Sequence, residues 1–205
     1  LSKLIETSPN NGVNKSIVTG FNSKLIIKKT KKYEINYIHN KYYKTTEMLF
    51  SMYLALKKYN DDFIFSYTDI IYDSQIIKKI IKTKPKNITL PINLNWRQAW
   101  NMRKKDIYED AESLKLNKNR IVEIGKKIKN IKDVDGQFMG IFFIPKNKRI
   151  DLIKLLEKKN LKKKQITYFI NFLIKKKFTV NAIKYYGHWY EIDDFIDLKE
   201  YKKAR

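Results

Sequence analysis

Phe63-Ile64-Phe65-Ser66-Tyr67-Thr68-Asp69 is the stretch on which the fold turns. Apolar residues of high β propensity run into Tyr67 and Thr68 and end on a carboxylate. A strand built this way delivers its acid to the C-terminal edge of a sheet, where open α/β folds hold their ligands. Asp69 has a plainer alternative as the cap of the following helix, although Asp73 is better placed for that duty. Working outward, short apolar β-branched runs predict further strands over 15–19, 33–38, 87–92, 120–124, 137–144, 178–183 and 189–192. Helical spacing fills the intervals. Leu49, Met52, Tyr53 and Leu56 share one face over 46–59, and Ile76, Ile77, Ile80 and Ile81 do so over 74–82. Helices are also predicted over 152–158, 164–176 and 194–204. Strands alternating with helices predict one α/β domain over residues 1–205, with a mostly parallel mixed sheet flanked by helices.

Composition narrows the chemistry. The 205 residues are 43% apolar and 14% aromatic, enough for a real core and too rich for disorder. Cysteine is absent, and His39 and His188 are the only imidazoles, so thiolate and multi-histidine zinc sites are excluded. A metal bound here would be a hard, oxygen-liganded ion such as Mg²⁺. No apolar run approaches the ~20 residues that cross a bilayer, and the opening residues lack a signal-peptide core. A cytoplasmic protein without a membrane partner is expected. The net charge of +23 invites a nucleic-acid reading. Arginine, however, stands only at Arg97, Arg103, Arg120, Arg149 and Arg205, and the lysines are spread along the chain. Solvated surface accounts for them better, so nucleic acid is not an expected partner.

A second acidic segment lies far along the chain. Gly187-His188-Trp189-Tyr190-Glu191-Ile192-Asp193-Asp194-Phe195-Ile196-Asp197-Leu198 sets Glu191, Asp193 and Asp194 within four residues, which repel one another unless a cation or a cap compensates. Asp194 suits the cap of the last helix, with Asp197 in its first turn. Period-two alternation leaves Glu191 and Asp193 on one side of a strand. Carboxylates from two distant segments meeting at one sheet edge would suit Mg²⁺ bound to a triphosphate.

The ordered set of segments resembles a known family. The matching stretches are Ile17-Val18-Thr19-Gly20-Phe21, Asn40 through Thr46 and Ser51 to Ala55, and Ser66 through Tyr72. Trp96-Arg97 with Trp100 and Arg103, and Asp110-Ala111-Glu112, come next. Glu123-Ile124-Gly125-Lys126, Gly136-Gln137-Phe138-Met139-Gly140 and Trp189 through Asp194 close the series. Together they resemble the sugar-phosphate nucleotidyltransferases, above all the branch with phosphocholine cytidylyltransferase-like proteins. The resemblance implies a Rossmann-like nucleotidyltransferase fold and a Mg²⁺-assisted transfer of a nucleoside monophosphate. CMP from CTP would pass to a phosphorylated small molecule such as phosphocholine or a sugar phosphate, with pyrophosphate leaving, in the supply of surface-polysaccharide or lipid head-group precursors.

The family's metal acids map onto Asp69 and Asp193, with Glu191 adjoining, and Asp69 and Asp193 carry the catalytic role. Asn40, Thr46, Ser51, Thr68 and Trp189 fall where family members line the nucleotide or acceptor pocket; for Asn40, Thr46 and Ser51 a turn-and-cap role is an equal alternative. Trp96, Arg97, Trp100 and Arg103, at near-helical spacing, would hold an acceptor's phosphate or quaternary amine, or form a lid packed on itself. Glu112 would meet an acceptor amine. The family's first strand and glycine-rich, Arg- and Lys-bearing phosphate loop are not found, since Gly12, Gly20, Gly125, Gly136, Gly140 and Gly187 are isolated. The chain alone is therefore expected to be a weak or inactive catalyst. Two other classes stay open at this stage: an inactive nucleotide-binding or scaffolding module, and a lysine-rich nucleic-acid binder.

Overall fold

The structure, a computed structural model, describes residues 2–7, 12–103, 106–158, 161 and 163–203. A short helix α1 (Ser2–Thr7) precedes β1 (Ser16–Thr19), α2 (Ser23–Thr30) and β2 (Asn36–His39). Then come α3 (Met48–Lys58), β3 (Phe63–Ser66), β4 (Ile70–Tyr72), α4 (Gln75–Thr83), β5 (Ile88–Asn93) and α5 (Trp96–Arg103). A single turn α6 (Ile107–Asp110) leads into the hairpin β6 (Glu112–Asn117) and β7 (Arg120–Lys127). The chain continues through β8 (Gln137–Phe138), β9 (Ile141–Ile144), α7 (Lys146–Lys158) and α8 (Ile166–Lys175). It ends with β10 (Val180–Tyr185), β11 (Trp189–Glu191) and α9 (Phe195–Lys203).

The main sheet runs in the order β3-β9-β5-β10-β7-β6, with β8 beside β5. The α/β class holds, but the directions differ from expectation. In this sheet only β5 and β10 pair in parallel; β9 runs antiparallel between β3 and β5, and β7 runs antiparallel to both β10 and β6. Apolar runs report burial on both faces and carry no sign of direction, so a returning strand reads like an advancing one. β1 and β2 form a separate parallel pair. The side chain of Ser16 donates to the Tyr59 hydroxyl (3.1 Å) and Lys58 Nζ donates to the Tyr37 carbonyl (3.3 Å), so β1, β2 and the approach to β3 start at one end.

The single run expected over 137–144 is broken into β8 and β9 at Met139 and Gly140. The break faces Pro91 of β5, which has no N–H to offer the ladder. Gly140 adopts φ +71°, a conformation that suits the bulge.

Helices cover both faces. Leu49, Met52 and Leu56 of α3, Leu152 and Leu156 of α7, and Phe169 and Leu173 of α8 pack on Ile88, Leu90, Phe142 and Ile144. On the other face Ile76, Ile77 and Ile80 of α4, with Trp96 and Trp100 of α5 and Tyr201 of α9, pack with Ile141, Phe143 and Ile183. Successive strand residues alternate between these cores, as a pleated strand requires. All six residues of β5 are buried because that strand lies between both helical layers.

Candidate active site

β3 stops pairing with β9 where the Tyr67 N–H donates to the Gly140 carbonyl (2.9 Å). Beyond it the chain joins a different partner. β4 pairs antiparallel with β11, Glu191 opposite Ile70, and the Ile192 N–H donates to the Asp69 carbonyl (2.8 Å). The two acidic segments, far apart in sequence, are thus zipped together. Continuing the register sets Asp193 opposite Thr68, one residue along from Asp69. Strict alternation would turn Asp69 and Asp193 to opposite faces, but the ladder ends here: β4 begins at Ile70 and β11 stops at Glu191. Thr68, Asp69 and Asp193 are exposed at this edge.

Reciprocal side-chain bonds hold the acidic turn. Asp194 Oδ1 accepts from the Asp197 N–H (2.8 Å), capping α9 as expected. Asp197, with no solvent exposure, returns Oδ2 to the Asp193 N–H (2.9 Å). The backbone of Asp193 is fixed while its side chain faces solvent. Asp73, expected as the cap of α4, is used otherwise: Oδ2 accepts from Tyr185 Oη (3.3 Å) and the His188 N–H (3.2 Å), tying the start of α4 to the turn before β11.

Tyr67, two residues before Asp69, was not singled out by motif reading. Burial, then the charges of Glu112, Glu191 and Asp69 in that order, raise its phenol above the usual tyrosine range, so it stays protonated. Glu112, at the start of β6, is half-buried; burial raises its carboxyl above the ordinary range, partly offset by a hydrogen bond from Thr167 Oγ1 (3.3 Å). Gln137 Nε2 donates to the Glu112 carbonyl (2.8 Å) and fixes its backbone. Position, two residues before an edge acid, was the available signal for Tyr67; its type argued for core.

Several expected contacts are corrected. Asn40 is buried, and its amide is occupied: Oδ1 accepts from the Tyr42 N–H (2.9 Å), while Nδ2 donates to Thr46 Oγ1 (3.1 Å) and Ser51 Oγ (3.3 Å). These three residues pin the loop before α3, which is the turn-and-cap alternative. Trp96 and Trp189 are core residues, 1% and 3% exposed, because positions four apart in α5 turn both Trp96 and Trp100 onto β11 and α9. Trp100 lies 5.6 Å from Trp189, whose Nε1 donates to the Met139 carbonyl (3.1 Å). None offers a free aromatic face. The Arg97 guanidinium sits 4.7 Å from the Trp96 ring centre. The Arg103 side chain lies outside the described residues.

No family model matches the chain. It is 30% identical over 213 residues to the CTP:phosphoglutamine cytidylyltransferase of Campylobacter jejuni, covering 95% of this chain and 83% of that protein. The chain belongs to the nucleotidyltransferases. Its fold agrees with the inositol-1-phosphate CTP transferase of T. maritima at a TM-score of 0.72, with 21% identity over 94% of this chain and 76% of the other. The CTP:phosphocholine cytidylyltransferase of Streptococcus pneumoniae gives 0.65, with 14% identity over 99% of this chain and 83% of that one.

For this nucleotidyltransferase the donor set at the edge is carboxylate oxygen, the chemistry Mg²⁺ requires. Among the described residues no three Asp, Glu, His or Cys side chains are gathered closely enough to hold a metal. Mg²⁺ needs fewer protein ligands than that, since it keeps several waters and takes substrate phosphates as further ligands. No helix among the described residues is long and apolar enough to cross a membrane.

Proposed function

We propose that this nucleotidyltransferase moves CMP from CTP to a phosphorylated small molecule at the edge formed by Asp69 and Asp193. The observation that carries it is the pairing of β4 with β11, which sets those two acids at neighbouring backbone positions. An oxygen of the acceptor phosphate forms a bond to the α-phosphorus of CTP, the bond to the β-phosphate breaks, and pyrophosphate leaves with that electron pair. Asp69 and Asp193 would hold Mg²⁺, with Glu191 adjoining; when bound, the ion supplies charge neutralisation for the triphosphate. The protein's own contribution is positioning: Asp197 and Asp194 hold the turn bearing Asp193, and the strand pair fixes Asp69. CTP is favoured because the Campylobacter relative is a CTP enzyme, and its phosphoglutamine adds a phosphorylated amino acid to phosphocholine and sugar phosphates as acceptor classes. Supply of activated precursors for surface polysaccharide or lipid head groups, in the cytoplasm, belongs to the same proposal.

Thermal-shift measurements with CTP, UTP, GTP and ATP, each with and without Mg²⁺, test it, since a ligand stabilises the folded state by its occupancy. CTP with Mg²⁺ should give the largest shift, and Asp69→Ala and Asp193→Ala should each abolish its Mg²⁺-dependent part. An undiminished Mg²⁺-dependent shift in both variants would remove the acidic edge from nucleotide binding.

A further inference from the structure

α2 is anchored to β2 along one side. Thr30 is buried; its hydroxyl donates to the Ile26 carbonyl (2.7 Å) and accepts from the Tyr37 hydroxyl of β2 (2.8 Å). With Thr30 and the half-buried Ile26 turned inward, a helix of about 3.6 residues per turn sets Lys24, Lys28 and Lys31 in a row along its outward side. Leu25 and Ile27 flank that row, 51% and 40% exposed. Phe21, 69% exposed, stands one turn before Leu25. Its loop is closely held. A Cβ on Gly20 would stand 2.5 Å from Tyr43 Cβ, Asn22 turns the chain at φ 51°, and the Phe21 and Tyr43 rings meet at 6.5 Å.

Three large apolar side chains displayed around one short helix leave area that a partner can cover. Charge sets the chemistry of that partner. Between Glu6 and Glu34 the chain carries six lysines and no acid, so the complementary surface is anionic. The arrangement of the apolar groups narrows it further. Leu25 and Ile27 lie on opposite flanks of the lysine row and Phe21 lies beyond its end, so they are separate tips and form no flat patch that a folded protein would match. A nucleic-acid duplex presents phosphates with no apolar layer behind them. An anionic bilayer presents both in the order required, with phosphate head groups outermost and acyl chains beneath, and lysine stems lie comfortably across that boundary.

We propose that the outward side of α2, with Phe21 at its entry, docks on an anionic lipid bilayer, the lysine row meeting head-group phosphates while Phe21 and Leu25 enter the apolar boundary. This revises the expectation of no membrane partner, and it stands independently of the transfer reaction. The intact protein is sedimented with vesicles of phosphatidylcholine alone or with about 30% phosphatidylglycerol, in about 0.15 M NaCl. Binding should be about tenfold tighter, or more, to the anionic vesicles. Lys24→Gln with Lys28→Gln and, separately, Phe21→Ser with Leu25→Ser should each weaken it about tenfold. Lys154→Gln with Lys199→Gln removes the same charge from exposed positions on α7 and α9, and should leave binding within about twofold. Urea midpoints show that each variant is folded, and Leu25→Ser alone, away from the Tyr43 contact, replaces the Phe21 pair should that pair lower its midpoint. Equal loss in the α7 and α9 control would reduce the effect to net charge and overturn the inference. Indifference to the apolar substitutions, or no preference for anionic vesicles, would overturn it too. Tighter, Phe21-dependent binding to single-stranded poly-uridylate would hand this face to nucleic acid instead.

Discussion

At the scale of single residues, the site depends on groups that never meet a substrate. Asp197 is completely buried, and one of its oxygens holds the N–H of Asp193. Asp197→Ala leaves that N–H without its partner and should cost about 1–3 kcal/mol of stability. Asp197→Asn keeps an acceptor oxygen and should restore the Mg²⁺-dependent nucleotide shift that the alanine variant loses. Equal behaviour of the two variants would show that the bond does not position Asp193. Glu112 allows a test by pH. Burial raises its folded-state pKa above the unfolded value, so between those two values the folded chain binds more protons. Its contribution to stability therefore falls as pH rises through that window and is lost once pH passes the folded pKa. Glu112→Gln is neutral throughout. Urea midpoints of wild type and variant, compared in pH steps upward from about 4, should diverge in the variant's favour and then run parallel. A gap that does not change with pH would mean that Glu112 is solvated.

Elements were legible where burial and period agreed. The strands ending near Thr19, Tyr67 and Ile92 and the helices over Met48–Lys58 and Gln75–Thr83 follow from apolar spacing alone. β4 and β6 did not announce themselves, since Ile70–Tyr72 is only three residues and Glu112–Asn117 carries Lys115 within a hairpin. α2 was hidden for the opposite reason: Leu25 and Ile27 are exposed, so no stripe marks a buried face. Both acidic segments could be read from sequence because acids ending apolar strands are unusual. The bond between Glu112 and Thr167 could not, because it depends on how closely α8 lies on β7. That approach passes through Gly125, at φ +82°, where a Cβ would stand 2.8 Å from Thr167 Cβ and 3.3 Å from its backbone carbon. Gly125→Ala should cost about 2–5 kcal/mol, the sum of left-handed backbone strain and overpacking. Gly12→Ala, at φ +72° with nothing within 4 Å, bears only the first of these. Chemical denaturation of both variants checks the difference, and equal costs would show that α8 has room to move.

Across the whole molecule the unbalanced quantity is charge. Ion pairs such as Lys57–Glu157, Lys115–Asp133 and Lys203–Glu200 are exposed or partly so, and each adds little. The positive excess of +23 therefore repels itself, and added salt should stabilise the fold as screening shortens to about 10 Å at 0.1 M. The same charge fixes what should happen with nucleic acid. Lysines project from elements on different sides of the sheet: Lys24 and Lys28 on α2, Lys146 and Lys154 on α7, Lys199 and Lys202 on α9. A reader of grooves gathers its cations on one face and uses the arginine fork, and this chain has only five arginines. Retention on duplex DNA should occur at low salt through counterion release and vanish by about 0.15 M, with no preference among sequences. Tm should climb over the same salt range in which retention is lost. Binding that survived physiological salt, or a Tm that fell with added NaCl, would mean that the lysines form an organised surface.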